Sequence, residues 1–208
     1  MQITVFGANG KVGSKVVAGL LARGYRVRAF VRDVSTLESR TNLTIVQGDV
    51  RNKQDVTNAL KNSTVVICAL GSWSTKSKDI LSAGMTNIIP AMQAQNIERI
   101  VSLTGAEARD KTDQPKLINK LSHFMSLVFL RKILQDGERH IALLRGSDLN
   151  WSVLRSPLMK TKGKRGFMLK ITPIKPWVTI SRDDVAEAMI ELALNNQFTK
   201  SAPYICRG

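Results

Sequence analysis

Three glycines close to the start of the chain, Gly7, Gly10 and Gly13, stand between a short apolar run and a segment of helical periodicity. Glycine lets the chain turn tightly here, brings the backbone close to a pyrophosphate and packs the helix against the sheet. The free N–H groups of the first helical turn then face the anion. The spacing predicts a dinucleotide-binding loop, and a glycine turn without a ligand is the alternative. The other loop residues expected at the cofactor are Asn9, Lys11 and Val12.

The end of the second apolar run indicates which dinucleotide the loop binds. Enzymes that use NAD usually place an acidic residue there for the ribose 2′-hydroxyl, whereas enzymes that use NADP place a cation for the 2′-phosphate. This chain has Arg32, whose guanidinium can hold the phosphate with two hydrogen bonds and stack on the adenine. Asp33 follows directly, and its carboxylate could instead pair with a neighbouring basic side chain. NADP(H) is therefore favoured over NAD(H), which stays possible.

The elements that must position this loop alternate along the chain, with short β-rich apolar runs separated by longer segments of helical period. This alternation is typical of βα units on a parallel sheet. It predicts one α/β domain over residues 1–208, a Rossmann-type doubly wound parallel sheet with helices on both faces and a small substrate-side region at about 156–208. Strands are predicted at residues 2–6, 26–31, 44–47, 64–69, 99–103, 151–155 and 203–206, and helices at residues 12–23, 54–60, 80–96, 117–144 with a break, and 182–195.

The composition is strongly basic, with 31 Lys and Arg residues against 16 Asp and Glu and a formal net charge of +15. Residues 160–175 hold six of these cations and no acidic residue. A solvated loop is one interpretation of this segment, and attraction of an anionic small-molecule acceptor is the other. The sequence lacks the interleaved aromatic residues or the recognition module typical of nucleic-acid binding, so we expect that partner less than a small molecule, although the charge does not exclude it.

No apolar run reaches the roughly 18 residues that a membrane-spanning helix needs. The first residues lack the basic and small-residue pattern of a signal peptide, so we expect a cytoplasmic protein without a membrane partner. Cys68 and Cys206 lie far apart in apolar stretches, outside any paired metal-binding or redox spacing. We expect both to be small buried hydrophobic residues, and we expect no metal site.

Seven stretches, VFGANGKVG, AFVRD, VQGDV, ALGS, VSLTG, LNWSVLRSP and ISRDDVAEAMIELAL, are distributed along nearly the whole chain. With them the chain resembles the atypical short-chain dehydrogenase/reductase family, in particular NADPH-dependent flavin reductase/biliverdin reductase B and NmrA-like proteins. The resemblance implies direct hydride transfer from NADPH to a flavin-like or quinone-like acceptor. It also implies an alternative, a non-enzymatic regulatory protein that senses NADP(H).

The same resemblance implies further cofactor contacts, most of them at or just after the ends of predicted strands. It places Asp49 and Val50 beside the adenine, Leu70 and Gly71 along the cofactor, and Thr104 and Pro157 near the nicotinamide. For Val50, Leu70 and Pro157, ordinary packing is the alternative. Thr104 is the candidate catalytic hydroxyl.

The chain departs from the family in two respects. Tyr25 and Tyr204 are its only tyrosines, and neither precedes a lysine by four residues, so the Tyr-x-x-x-Lys mechanism of alcohol oxidation is not expected. Gly105, Gly137 and Leu158 stand where the flavin reductase carries a pocket serine and two histidines. Flavin reduction tolerates this loss better than biliverdin reduction, because hydride transfer to a bound flavin mainly needs stacking and a dry pocket.

Two histidines and one apolar segment complete the candidate residues. His123 is expected to be a surface or core residue, and His140, which follows Glu138 and Arg139, is expected on a solvated face. The apolar segment 117–134 is interpreted first as a core helix, then as a substrate lid or a subunit contact. The oligomeric state is left open between monomer and homodimer.

Overall fold

A computed structural model describes residues 1–34, 40–73, 75, 77–160, 163 and 166–208. Its strands are β1 (Gln2–Phe6), β2 (Arg26–Val31), β3 (Leu43–Gln47), β4 (Val65–Cys68), β5 (Arg99–Gly105), β6 (Asn150–Ser156), β7 (Leu158–Lys160), β8 (Phe167–Lys170), β9 (Thr179–Ser181) and β10 (Tyr204–Arg207). Its helices are α1 (Gly13–Ala22), α2 (Lys53–Ala59), α3 (Ile80–Ala94), α4 (Leu117–Arg145) and α5 (Arg182–Asn195).

The main sheet has the strand order β3-β2-β1-β4-β5-β6-β10-β8, and β8 pairs antiparallel with β10 at its edge. The other pairings in this sheet are parallel. β4 lies between β1 and β5 and is buried along its whole length, as its unbroken apolar run predicts. The predicted Rossmann-type sheet is therefore confirmed, and the predicted elements differ from the observed ones by one or two residues at their ends.

The sequence did not predict the short strands β7, β8 and β9. β7 pairs in parallel with β9 as a separate two-stranded sheet, and β8 extends the main sheet beside β10. β8 alternates half-buried and exposed residues, so it lacks the apolar run that marks a buried strand. Part of the basic segment, residues 161, 162, 164 and 165, lies outside the described residues.

Two apolar clusters cover the two faces of the sheet. Ile3 and Val5 of β1 face α1 and α5, whereas Phe6 faces the cluster that contains α2, α3 and α4. This division follows from the strand period of two, which sends alternate side chains to opposite faces. Cys68 and Cys206 are both buried thiols, as predicted, and burial raises the pKa of Cys68 to about 11.

The last helix begins where the sequence predicts. The Ser181 side chain accepts a hydrogen bond from the Asp184 backbone N–H at 3.0 Å, and Asp183 and Asp184 occupy the first turn. These carboxylates suit the positive end of the helix dipole. None of the described helices is long and apolar enough to cross a membrane.

Helix α4 departs most from expectation. Its backbone leaves helical geometry at Leu130, with φ −130° and ψ 25°, which confirms the predicted break. Before that break the large apolar side chains point outward, so the core-helix interpretation is wrong there. After the break, His140 is completely buried and not on a solvated face, because it shares a helix face with Asp136, Gly137 and Leu144. His123 is also buried.

Candidate functional site

A cleft of about 850 Å³ runs along the carboxyl ends of β1, β2, β4, β5 and β6. Parallel sheets that are wound in both directions bind ligands at this edge, where the connections diverge to opposite faces. The cleft is lined by most of the residues predicted at the cofactor, namely Gly7, Asn9, Gly10, Lys11, Val12, Arg32, Val50, Leu70, Gly71, Thr104 and Pro157. Gly13 and Asp49 are not among its lining residues in the described chain.

The glycine loop has no room for side chains at its two ends. Gly7 has a φ of +73°, and a Cβ there would lie 2.8 Å from the Ala69 carbonyl oxygen of the neighbouring strand end. A Cβ on Gly13 would lie 2.0 Å from the Gly7 carbonyl oxygen. Gly13 thus lets α1 approach the strand, which explains why it lies behind the cleft surface. The closely packed backbone is the kind of cradle that a pyrophosphate needs.

The first turn of α1 presents its positive end to the cleft. Within the described residues no side chain caps this helix, and its first turn carries no acidic residue. The N–H groups of Ser14 and Lys15 already donate to the carbonyl oxygens of Gly10 and Val12, so an anion would be held by the N–H groups that precede them, such as that of Gly13. Lys11 adds a cation at the cleft wall.

At the other side of the loop, Arg32 is exposed and lines the cleft directly after β2. The Gln47 side chain donates to its carbonyl oxygen at 3.2 Å, which ties the ends of β2 and β3 together. Phe30, two residues earlier, packs against Phe6 with ring centres 5.0 Å apart. The Arg32 side chain thus starts from a fixed backbone at the cleft wall, and its contact with a 2′-phosphate stays a prediction.

Asp49 has a different setting from the one that the resemblance implies. Its carboxylate accepts a hydrogen bond from the Arg51 backbone N–H at 2.9 Å, and its own N–H donates to Asp55 at 2.9 Å. These hydrogen bonds hold the backbone that leads into α2. Val50 next to it is buried and lines the cleft, whereas contact of Asp49 with an adenine stays a prediction.

Thr104 lines the cleft at the end of β5, close to the expected position of the nicotinamide. Its hydroxyl oxygen lies 2.6 Å from the point that a Cβ on Gly137 would occupy. Gly137 is thus the residue that makes room for Thr104, and it lies behind the cleft. The chain departs from the family at two other positions. A Cβ on Gly105 would face open space, and Leu158 is an exposed residue that lines the cleft. The cleft therefore has an apolar residue and a glycine where the resemblance places polar groups.

Arg182 is a cleft residue that the sequence did not reveal. Its Nη1 atom is buried, and among the described residues it has no hydrogen-bond partner. The next residue, Asp183, forms an ion pair with Lys15 of α1 at 2.6 Å, so Arg182 lies beside the first turn of that helix. A cation at the first position of a helix opposes the helix dipole, and this was the available signal. An anion at the glycine loop would give this nitrogen a partner.

Tyr204 lines the cleft but is held in a closed network. Its hydroxyl donates to Asp113 at 3.3 Å, and the Arg155 guanidinium lies 3.7 Å from its ring centre. Arg155 also holds Asp113 with two nitrogens, one of them at 2.8 Å. Burial raises the pKa of Tyr204 well above its ordinary value, and the Asp113 carboxylate raises it further against the opposing effect of Arg155. Tyr204 therefore stays protonated and cannot act as a base.

A second buried network lies beneath the cleft. The Asp136 carboxylate accepts hydrogen bonds from the backbone N–H groups of Leu81 at 3.0 Å and Ser82 at 2.8 Å, at the start of α3. It also accepts one from the hydroxyl of Ser72, a cleft residue, at 2.6 Å. Asp136 thus fixes the loop that follows β4, and this loop lines the cleft.

Comparison with known proteins agrees with this geometry. The model of a protein family described as NAD(P)H-binding matches residues 7–196. An uncharacterized chloroplastic protein of Arabidopsis thaliana is 28% identical over 214 residues, which cover 94% of this chain and 73% of that protein. A 3-beta-hydroxysteroid dehydrogenase of Mycolicibacterium neoaurum is 30% identical over 112 residues, but these cover 48% of this chain and only 31% of the dehydrogenase.

Solved structures show the same fold at low sequence identity. A short-chain dehydrogenase/reductase of Veillonella parvula in complex with NADP has a TM-score of 0.80 and 21% identity, covering 99% of this chain and 94% of that one. The anaerobillin reductase ChuY of Escherichia coli has a TM-score of 0.80 and 16% identity, covering 100% and 97%. With the family match spanning the glycine loop and almost every strand behind it, this chain belongs to the NAD(P)H-binding family and has the fold of the atypical short-chain dehydrogenase/reductases.

Proposed function

We propose that this chain is an NADPH-dependent reductase that transfers a hydride directly to a flavin-like or quinone-like acceptor. The observation that carries the proposal is the extent of the cleft. It continues beyond Thr104 and Pro157 into a chamber between α4 and the segment 173–176, with Ser122 and Leu130 on the α4 side. That chamber lies on the nicotinamide side, so a second ligand can stack where the hydride leaves. NADPH, when bound, supplies this hydride.

The preference for NADP(H) over NAD(H) rests on Arg32. Its exposed guanidinium at the end of β2 can form two charge-assisted hydrogen bonds with a 2′-phosphate. Such bonds are absent with NAD, which carries a hydroxyl at the same position. The N–H groups at the start of α1 and the side chain of Arg182, which lines the same cleft, would hold the pyrophosphate that both dinucleotides share.

The choice of acceptor rests on the lack of the Tyr-x-x-x-Lys pair that alcohol oxidation requires. Tyr204 is locked against Asp113 and Arg155, and Thr104 offers a single hydroxyl. Flavins and quinones suit such a site, because their reduced forms take the accompanying proton from solvent. In this scheme Thr104 orients a ligand through its hydroxyl, while the buried Pro157 covers the nicotinamide face.

The test is steady-state NADPH oxidation with FMN, riboflavin and menadione as separate acceptors. We expect an acceptor-dependent rate with at least one of them and a much higher KM for NADH than for NADPH. Arg32→Gln should raise the KM for NADPH toward that for NADH without changing the NADH value. The absence of acceptor-dependent oxidation with all three compounds would overturn the proposal.

A second candidate, a regulatory NADP(H) sensor in the cytoplasm, draws support from the net charge of +15 and from the same lack of a Tyr-x-x-x-Lys pair. A sensor should bind an anionic macromolecule at physiological salt and release or tighten it when NADP is added. A fluorescent duplex DNA titrated with and without NADP tests this. Binding that ignores NADP and disappears with moderate salt would reflect charge alone and would remove this candidate.

A further inference from the structure

The first half of α4, residues 117–129, exposes large apolar side chains to solvent, whereas surface helices of globular proteins usually turn such side chains toward the core. Positions three and four apart share a helix face, and here the face formed by such positions points away from the core. Leu117 is 82% exposed and Phe129 is 73% exposed. We call this surface the outer face, and it consists of Leu117, Ile118, Leu121, Phe124, Met125, Val128 and Phe129.

Polar contacts fix the opposite face of this segment toward the protein. The Ser122 hydroxyl donates to Glu107 at 2.7 Å, and the Asn119 side chain donates to the Ile174 carbonyl oxygen at 2.8 Å. Both residues line the cleft. The helix cannot roll to bury its outer face without breaking these bonds. The apolar surface is therefore presented to the surroundings by the fold itself, and patches of this size mark interaction sites.

The charges around the outer face have one sign. Lys116, Lys120, Arg131 and Lys132 are exposed on the same helix or at its start, and residues 114–135 contain no Asp or Glu. Two tryptophans, Trp73 and Trp177, are exposed in segments that border the cleft. Trp73 lines the cleft, and Trp177 follows the lining segment 173–176 to which Asn119 is bonded. Apolar side chains with basic flanks and tryptophans are the composition of helices that lie in a membrane interface.

We propose that the outer face docks on an anionic lipid bilayer, with α4 lying in the plane of the interface. Phe124, Phe129 and their apolar neighbours enter the boundary between headgroups and acyl chains, while Lys120 and Lys132 stay at the level of the lipid phosphates. A second copy of the chain fits less well. A symmetric pairing would bring these lysines against their counterparts, between two molecules that each carry a charge of +15.

Vesicle sedimentation of the full chain tests the proposal without reference to any enzymatic activity. The probes are vesicles of phosphatidylcholine alone and of phosphatidylcholine with phosphatidylglycerol in a two-to-one ratio. We expect the protein to sediment with the anionic vesicles and to stay in solution with the neutral ones. The fluorescence of its exposed tryptophans should shift to shorter wavelength on binding.

The double substitution Phe124→Ser with Phe129→Ser should lower the bound fraction at least tenfold. The control is Val34→Ser, which removes another exposed apolar side chain, outside α4. Circular dichroism and the thermal midpoint show whether each variant is folded, and we expect no loss because the replaced side chains are exposed.

Three outcomes would overturn the proposal. The first is a chain that binds neither kind of vesicle. The second is vesicle binding that the double substitution leaves intact, because contact would then depend on charge alone. The third is a dimer, seen by light scattering, that the double substitution dissociates while vesicle binding is absent; a second copy of the chain would then be the occupant.

Discussion

The buried imidazole of His140 gives this protein a specific dependence of stability on pH. The ring has no exposed surface, and its Nε2 atom lies 2.7 Å from the Ser102 hydroxyl oxygen. Burial lowers the pKa of His140 from 6.5 to about 4, although the Asp136 carboxylate acts in the opposite direction. The ring is therefore neutral in the native protein at neutral pH, whereas in the unfolded chain it takes up a proton below its ordinary pKa.

The size of the effect follows from these two pKa values. Since the unfolded state binds the proton first, the native state loses stability as the pH falls from 6.5 to about 4, and the loss stops once the native ring is protonated as well. At about 1.4 kcal/mol per pH unit, the total loss is about 3 kcal/mol. It is fully regained above the unfolded pKa.

The assay is urea unfolding of the wild type and of His140→Gln at a series of pH values from neutral to mildly acidic. Glutamine can keep a hydrogen bond with Ser102 but does not titrate. We expect the wild type to lose about 3 kcal/mol more than the variant over this range. Other acid-sensitive contacts, such as that of Asp79 with Arg51, are common to both proteins and cancel in the difference. Parallel stability curves for the two proteins would refute the assignment of a neutral buried His140.

Three further substitutions have outcomes set by the geometry. Gly13→Ala places a Cβ 2.0 Å from the Gly7 carbonyl oxygen, so thermal unfolding should show a loss of about 3 kcal/mol; an unchanged midpoint would contradict the packing of this loop. Arg182→Gln should weaken NADP and NAD alike by roughly tenfold or more in calorimetry, whereas Arg32→Gln should weaken NADP alone; equal affinities in wild type and Arg182→Gln would exclude Arg182 from the pyrophosphate site. Asp113→Asn leaves the Arg155 charge buried and poorly paired, and urea unfolding should show a loss of about 3 kcal/mol or more; a loss near zero would mean that the pair is dispensable.

Two matched controls accompany these variants. Gly146→Ala adds the same methyl group at a glycine with ordinary backbone geometry, where the Cβ would lie 3.5 Å from the Ala142 carbonyl oxygen, so the thermal midpoint should not fall. Tyr204→Phe removes one hydroxyl from the Asp113 network and keeps the ring against Arg155, so its cost should be about 1 kcal/mol, well below that of Asp113→Asn.

The parts of this protein that were predictable from sequence are those that local patterns determine. The strand, turn and helix around Gly7 and Gly13 lie within one short stretch, so periodicity and glycine spacing are enough to identify them. The burial of β4 is likewise predicted by its own unbroken run of apolar residues. Arg182 could not be found in this way, because its position beside α1 depends on packing between segments that are about 170 residues apart in sequence.

Helix α4 shows the limit of the same reasoning. Glu138 and Arg139 next to His140 indicated a solvated face, but each step along a helix turns by about 100°, so neighbours in sequence point in different directions. The apolar periodicity before Leu130 correctly indicated an apolar face. It could not indicate whether any other part of the chain covers that face, and within the described residues none buries it.

The kink at Leu130 divides α4, which lines one side of the cleft, into two halves that different contacts hold to the rest of the protein. Beyond the kink, α4 is anchored in the core by Asp136 and His140, whereas before it the helix depends on a few polar contacts such as those of Ser122 and Asn119. If the chain is the reductase proposed above, its acceptor should enter and leave on the side of the first half of α4 while the dinucleotide stays bound. Its kinetics should then be ordered, with NADPH binding first, and limited by departure of the reduced acceptor. Deuterium in place of the transferred hydrogen of NADPH should leave kcat nearly unchanged.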